Sequence, residues 1–155
     1  MRYQCTLLAV TDMARSLDFY DSVLGQKAAV DYGANVTLSC GIALQTMDTW
    51  KALLGAGQVA LRSRAGEIYF EEDDMDMFLQ KLESMEIDYV HPVKTQDWGQ
   101  RCVRLYDPDG HIVEVGENMA TVAKRFHDAG MTAAEIAGRM GIAERYVHMY
   151  LNQLS

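Results

Sequence analysis

The sequence predicts an α+β fold built from two copies of one βαβββ module, with a small helical appendage at the C-terminus. Three observations predict it. A strand signal, a helix signal and three short strand signals occur in that order twice; the two copies superimpose by simple subtraction; and the strand signals stop beyond residue 117.

The first module, about residues 1–50, opens with the strand-like "YQCTLLAV" and runs into "TDMARSLDFYDSVLG". There Met13, Leu17, Tyr20 and Leu24 recur at helical spacing before Gly25 supplies a stop. "QKAAVDYG", "ANVTLSC" and "GIALQT" follow as three short strands divided by glycine-containing turns. The second module, about 64–117, repeats this with "GEIYF", a helical "DDMDMFLQKLESME", and then "DYVHPV", "RCVRLYD" and "HIVEVGE". Subtracting 62 places Asp74 on Asp12, Met75 on Met13, Leu79 on Leu17 and Leu82 on Tyr20. In the final hairpin the offset becomes 69, so that Gly110 falls on Gly41 and Glu114 on Gln45. Residues 47–66 between the modules read as a short helix around Trp50–Leu54 and a glycine-rich linker. The tail, 118–155, is helical throughout, with a capping box from Thr132 to Glu135 and with Gly130 and Gly141 as punctuation.

Composition bounds the function. A chain of 155 residues that is 49% hydrophobic, 23% charged and holds two prolines is long enough for one well-packed domain. Its apolar runs are too short to span a bilayer, and the polar start without a small-residue cleavage site predicts a cytoplasmic protein that does not enter membranes. Cys5, Cys40 and Cys102 are odd in number and irregularly spaced, which predicts free thiols in a reducing compartment. Of the net charge of −8, residues 1–117 carry 10 Lys and Arg against 19 Asp and Glu, and residues 118–155 carry 4 against 3. The acidic part should repel polyanions, which argues against nucleic acid as a partner.

The repeat brings four polar positions to equivalent places. Cys5 and Glu67 are related by 62 in the first strands, and Gln45 and Glu114 by 69 in the last. If the modules curl together, all four side chains face one concave surface. Thiolate, carboxylate and an amide oxygen are all donors for a divalent ion, and this set would suit Zn²⁺ or Mn²⁺ without choosing between them. Trp98, Arg101 and Arg104 in "DWGQRCVRLYD" are candidates for binding a planar or anionic ligand, and serve equally well as a surface loop with salt bridges. His91 and His111 sit beside a proline and a turn and read as structural or solvated.

"AVTDMARSLDFYDSVLG" together with "GQRCVRLYDPDGHIVEVGE" resembles the two signature segments of the glyoxalase / bleomycin resistance / extradiol dioxygenase superfamily, also called the vicinal oxygen chelate superfamily. The resemblance covers residues 3–117 and implies that 1–117 is one glyoxalase-like domain, a half-open barrel of paired modules that is usually a homodimer. It implies that one metal ligand comes from each of four strand positions. The last-strand carboxylate matches Glu114; the others map onto Cys5, Glu67, and either Gln45 or, if the hairpin is shifted by one pair, Ala43. The expected activity is a metal-assisted lyase or isomerase reaction on a small molecule with adjacent oxygens, with Zn, Mn, Ni or Co as the ion and Glu67 or Glu114 moving the proton. Two alternatives stand beside it: a metal-free binding protein of the drug-resistance type, and a ligand-sensing regulator. For the last, "GMTAAEIAGRMGIAERYVHMYL" resembles a helix-turn-helix, but its second helix offers little phosphate-contacting surface, and docking or dimer stabilisation is the preferred reading of the tail.

Overall fold

A computed structural model of the chain describes residues 1–55 and 57–153. Two compact units emerge, one formed by 1–66 with 106–111 and the other by 67–105 with 112–153. Each unit is built around one four-stranded sheet that is not closed on itself.

In the first unit β1 (Leu7–Val10), β4 (Ala43–Thr46), β3 (Asn35–Leu38) and β2 (Ala28–Asp31) lie in that order, β1 parallel to β4 and the rest antiparallel. Helix α1 (Met13–Ser22) follows β1, and its buried Tyr20 joins Val10, Val36, Leu38 and Leu44 in the core. Helix α2 (Met47–Leu54) closes the module and ends on Gly55 in the left-handed conformation. The linker is pinned at two points, since Arg62 stacks 4.4 Å over the Tyr106 ring and Arg64 Nε donates to the Tyr106 hydroxyl at 3.0 Å.

The second unit repeats the plan with β5 (Glu67–Glu72), β8 (Ile112–Glu117), β7 (Arg101–Tyr106) and β6 (Tyr89–Thr95), and with α3 (Met75–Glu83) after β5. The offset of 62 holds at the helix starts. Asp12 and Asp74 are both N-caps, and each carboxylate accepts the backbone N–H three residues on, at 3.0 Å. The hairpin offset of 69 holds as well, because Gly41 N–H donates to the Leu38 carbonyl and Gly110 N–H to the Asp107 carbonyl, both at 2.9 Å.

The "DPDG" turn belongs to the first unit. Asp107, 3% exposed, accepts from the backbone N–H groups of Asp109 and His111, from the Tyr20 hydroxyl and from His111 Nδ1. Asp109 accepts from the Thr11 N–H and hydroxyl and from Ser16. Two buried carboxylates thus tie the turn to the β1–α1 junction.

The tail is three helices, α4 (Met119–Asp128), α5 (Ala133–Met140) and α6 (Glu144–Gln153), around a core of Val122, Phe126, Ile136, Met140 and Val147. The Thr132–Glu135 capping box forms, and Gly141 adopts φ 67° between α5 and α6. The tail packs as part of the second unit, and its anchor is Glu117, whose carboxylate takes both Arg101 and Arg125 at 2.9 Å. Among the described residues, no helix is long and apolar enough to cross a membrane.

Candidate functional site

Alternation along β5, β8 and β7 places Glu67, Tyr69, Glu114, Gln100, Cys102 and Arg104 on one face of the second sheet. Arg104 is at its centre. Its guanidinium holds Glu67 through Nε at 2.7 Å and Nη2 at 3.3 Å, and the same Nη2 forms an ion pair with the buried Glu114 Oε2. Nη1 lies 3.3 Å from His91 Nε2 and 3.8 Å from the Cys102 sulfur. One planar cation therefore occupies the space between the two carboxylates that the sequence singles out, in the forked geometry for which arginine is suited.

Beside this cluster is an aromatic pair. Trp98 and Tyr69 are 39% and 47% exposed, and both are tied to the buried Gln100. Trp98 Nε1 donates to Gln100 Oε1 at 3.1 Å, and Gln100 Nε2 donates to the Tyr69 hydroxyl and to the Glu117 carbonyl, each at 2.9 Å. The Tyr69 hydroxyl in turn donates to Glu71 at 3.2 Å. Burial, opposed by the Gln100 bond and aided by the Glu71 charge, holds the phenol above the ordinary tyrosine range and keeps it a neutral donor. Gly116 makes room here, because a Cβ would stand 2.7 Å from Gln100 Nε2 and 3.0 Å from the Tyr69 ring.

Arg101 does not join Trp98 and Arg104. One residue out of phase on β7, it points to the other face, where it binds Asp76 of α3 and Glu117. It is a structural cation, held above even the usual arginine range by the hydrogen bond it donates to Glu117.

In the first unit, Cys5 precedes β1 and is exposed. Gln45 is buried and locally satisfied: Oε1 accepts from Asn35 Nδ2 at 2.9 Å and Nε2 donates to the Thr49 hydroxyl of α2. Strand pairing also shows a slip of one side-chain pair. Glu114 lies opposite Tyr69 and Gln45 opposite Ala9; stepping back 62 from Tyr69 gives Leu7, which lies opposite Ala43. Measured from the first strand, then, the counterpart of Glu114 is Ala43.

Residues 3–120, more than half of the chain, match the glyoxalase-like domain family. The chain belongs to that family. Solved structures agree: a protein of unknown function from Agrobacterium tumefaciens str. C58 is 34% identical, with TM-score 0.68 over 76% of this chain and 94% of its own. A lactoylglutathione lyase from Agrobacterium tumefaciens is 25% identical, with TM-score 0.58 over 76% of this chain and 94% of its own. A glyoxalase-related enzyme from Fulvimarina pelagi, 18% identical with TM-score 0.66 over 77% and 89%, shares the fold. No curated protein matches the sequence.

Members of the glyoxalase-like superfamily typically use a metal ion, so the donor set can be tested for one. It does not fit. Glu67 and Glu114 already share a guanidinium, Gln45 has both ends of its amide engaged, and among the described residues no three His, Cys, Asp or Glu side chains are grouped to hold an ion. A divalent ion between the carboxylates would have to displace Arg104 and meet its charge.

Sequence reasoning did not single out Tyr69 or Gln100. Tyr69 has the same strand parity as Glu67, so the alternation that singles out the one also points to the other.

Proposed function

We propose that this glyoxalase-like protein is a metal-free small-molecule binder, whose ligand lies on the second unit's sheet against Trp98 and Tyr69. The observation that carries the reading is Arg104 held between Glu67 and Glu114, a resident cation where a metal-dependent relative would hold its ion. Because both charges of the pair of acids converge on that arginine, it has little left for an anion. With Glu71 added, the acids on this face outnumber the arginine, which favours a planar ligand that is neutral or cationic. Exposed indole and phenol rings supply the stacking surface, and the neutral Tyr69 hydroxyl and the Gln100 amide fix orientation.

The test is elemental analysis of protein purified without chelator, followed by calorimetric titration with Mn²⁺ and Ni²⁺. The wild type should carry no stoichiometric divalent ion, and Arg104→Ala, which leaves two uncompensated carboxylates, should bind ions that the wild type does not. Stoichiometric Zn, Mn, Ni or Co in the wild type, lost in the Glu67→Gln, Glu114→Gln double variant, would overturn the reading in favour of a metal-assisted lyase or isomerase.

A further inference from the structure

The turn between β6 and β7 faces two ways. Gln96 and Gln100 close it, with Gln96 N–H donating to the Gln100 carbonyl and Gly99 N–H to the Gln96 carbonyl, both at 2.8 Å. Trp98 leaves the turn on the face assigned above to the ligand. Gly99, one peptide further, lies beneath the tail: at φ 91°, a Cβ added there would stand 2.2 Å from Phe126 Cζ, and its carbonyl accepts from Arg125 Nη2 at 2.9 Å. The same nitrogen of Arg125 donates to Glu117 Oε2 at 2.9 Å, and the guanidinium lies 5.4 Å from the Phe126 ring centre. Gln100 completes the junction, bonding Trp98 and Tyr69 on one side and the Glu117 carbonyl, next to the start of α4, on the other.

We propose that Phe126 and Arg125 of α4 are positioning residues for the binding face, holding the Gln96–Gln100 turn and thereby the Trp98 indole. This rests on the reading that the ligand lies against Trp98. A half-exposed indole on a five-residue turn is a poor platform unless the turn is held, because a ring that must be ordered on binding weakens the complex. Glycine at 99 permits the close approach of the Phe126 ring, and the arginine fixes the carbonyl on the same peptide. The family match ends at residue 120, before either side chain, so this support comes from outside the matched domain. Coupling runs both ways: a ligand that orders Trp98 steadies α4, and loss of α4 contacts loosens Trp98.

Trp98 itself reports the outcome without a ligand, once Trp50→Phe has made it the sole tryptophan. In that background Arg125→Gln and Phe126→Ala should each shift Trp98 emission to the red and raise acrylamide quenching. The ceiling is about 2.5-fold, the ratio of full exposure to the present 39%. Arg125→Lys, which can still donate to the Gly99 carbonyl and pair with Glu117, should restore much of the signal. Lys124→Ala, next in sequence but paired with Asp128 in solvent, should leave it unchanged. Unchanged Trp98 emission and quenching in both Arg125→Gln and Phe126→Ala overturns the proposal, whether the helical circular dichroism of the tail survives or not. The elemental analysis above reads neither residue, so the two proposals fail separately.

Discussion

Replacing Glu117 by glutamine should cost the fold about 2 kcal/mol. The carboxylate is 1% exposed and accepts from Arg101 Nη2 at 2.9 Å, Arg125 Nη2 at 2.9 Å and the Arg101 backbone N–H at 3.3 Å. Glutamine keeps the shape but turns one acceptor into a donor facing donors. Removing one partner of a fully buried ion pair costs roughly 3–5 kcal/mol. The upper end does not apply, because the arginines left behind are 28% and 44% exposed and can rehydrate. The pH dependence is a second signature. Burial raises the pKa of Glu117, but the hydrogen bonds from Arg101 and the charges of Arg125 and Arg101 outweigh it and hold the group below the ordinary carboxylate range. A depressed carboxylate contributes stability that is present above its unfolded value, about 4.3, and is lost as pH falls through the folded value. The gap between wild type and Glu117→Gln should thus be flat from about pH 5 to pH 8 and narrow in acid. Urea unfolding followed by far-UV circular dichroism measures it, with a midpoint shift on the order of 1 M if the slope is unchanged. A loss under about 0.5 kcal/mol at pH 7, or a gap that persists in acid, would refute the assignment of Glu117 as the charged anchor of the tail.

Two further outcomes are expected. His111 is held above the usual histidine range, since burial opposes its charge but the Asp107 hydrogen bond and the Asp107 and Asp109 charges prevail. Its contribution to stability is complete below about pH 6.5 and is lost as pH rises through the folded value, so a ring-proton titration midpoint at or below 6.5 would refute it. Exposed Cys5 should react rapidly with a thiol reagent when Cys40 and Cys102 are replaced by serine, at a rate that chelator does not alter. Acceleration by chelator would mean that an ion was guarding the sulfur.

Periodicity and repetition made the elements and the order of the fold legible, because each module's local signals agree with its packing. Asp12 and Asp74 cap equivalent helices, and Gly41 and Gly110 close equivalent turns. The site was half legible. Parity on a strand is a property of the chain, and Glu67, Glu114 and Arg104, each singled out in the sequence, do share one face of the second sheet, but Arg101 was grouped with Trp98 although it is out of phase with Arg104. Pairing register is a property of two strands, and nothing along the chain decided between Gln45 and Ala43, the choice that the one-pair slip of β4 settles when register is measured from the first strand. Gln45 illustrates the same limit, since its amide is spent on Asn35 and Thr49, partners that only the folded sheet and α2 assemble.

The duplicated architecture also explains why the charge is in one module. Under the hairpin offset, Asn35 corresponds to Arg104 and Gln45 to Glu114, and both pairs form: an amide hydrogen bond in the first unit, an ion pair in the second. Equivalent positions in the two hairpins thus carry a neutral donor and acceptor in one unit and a charged pair in the other. Glu67 has no acidic counterpart by either offset: subtracting 62 gives Cys5, and opposite Ala43, which the hairpin offset matches to Ile112, lies Leu7. A buried amide pair satisfies itself and asks for nothing more. A guanidinium that must balance two carboxylates, one of them buried, commits its charge to the protein. On the reading proposed above, selectivity for a ligand's charge then lies with the second sheet, whose face is acidic and aromatic.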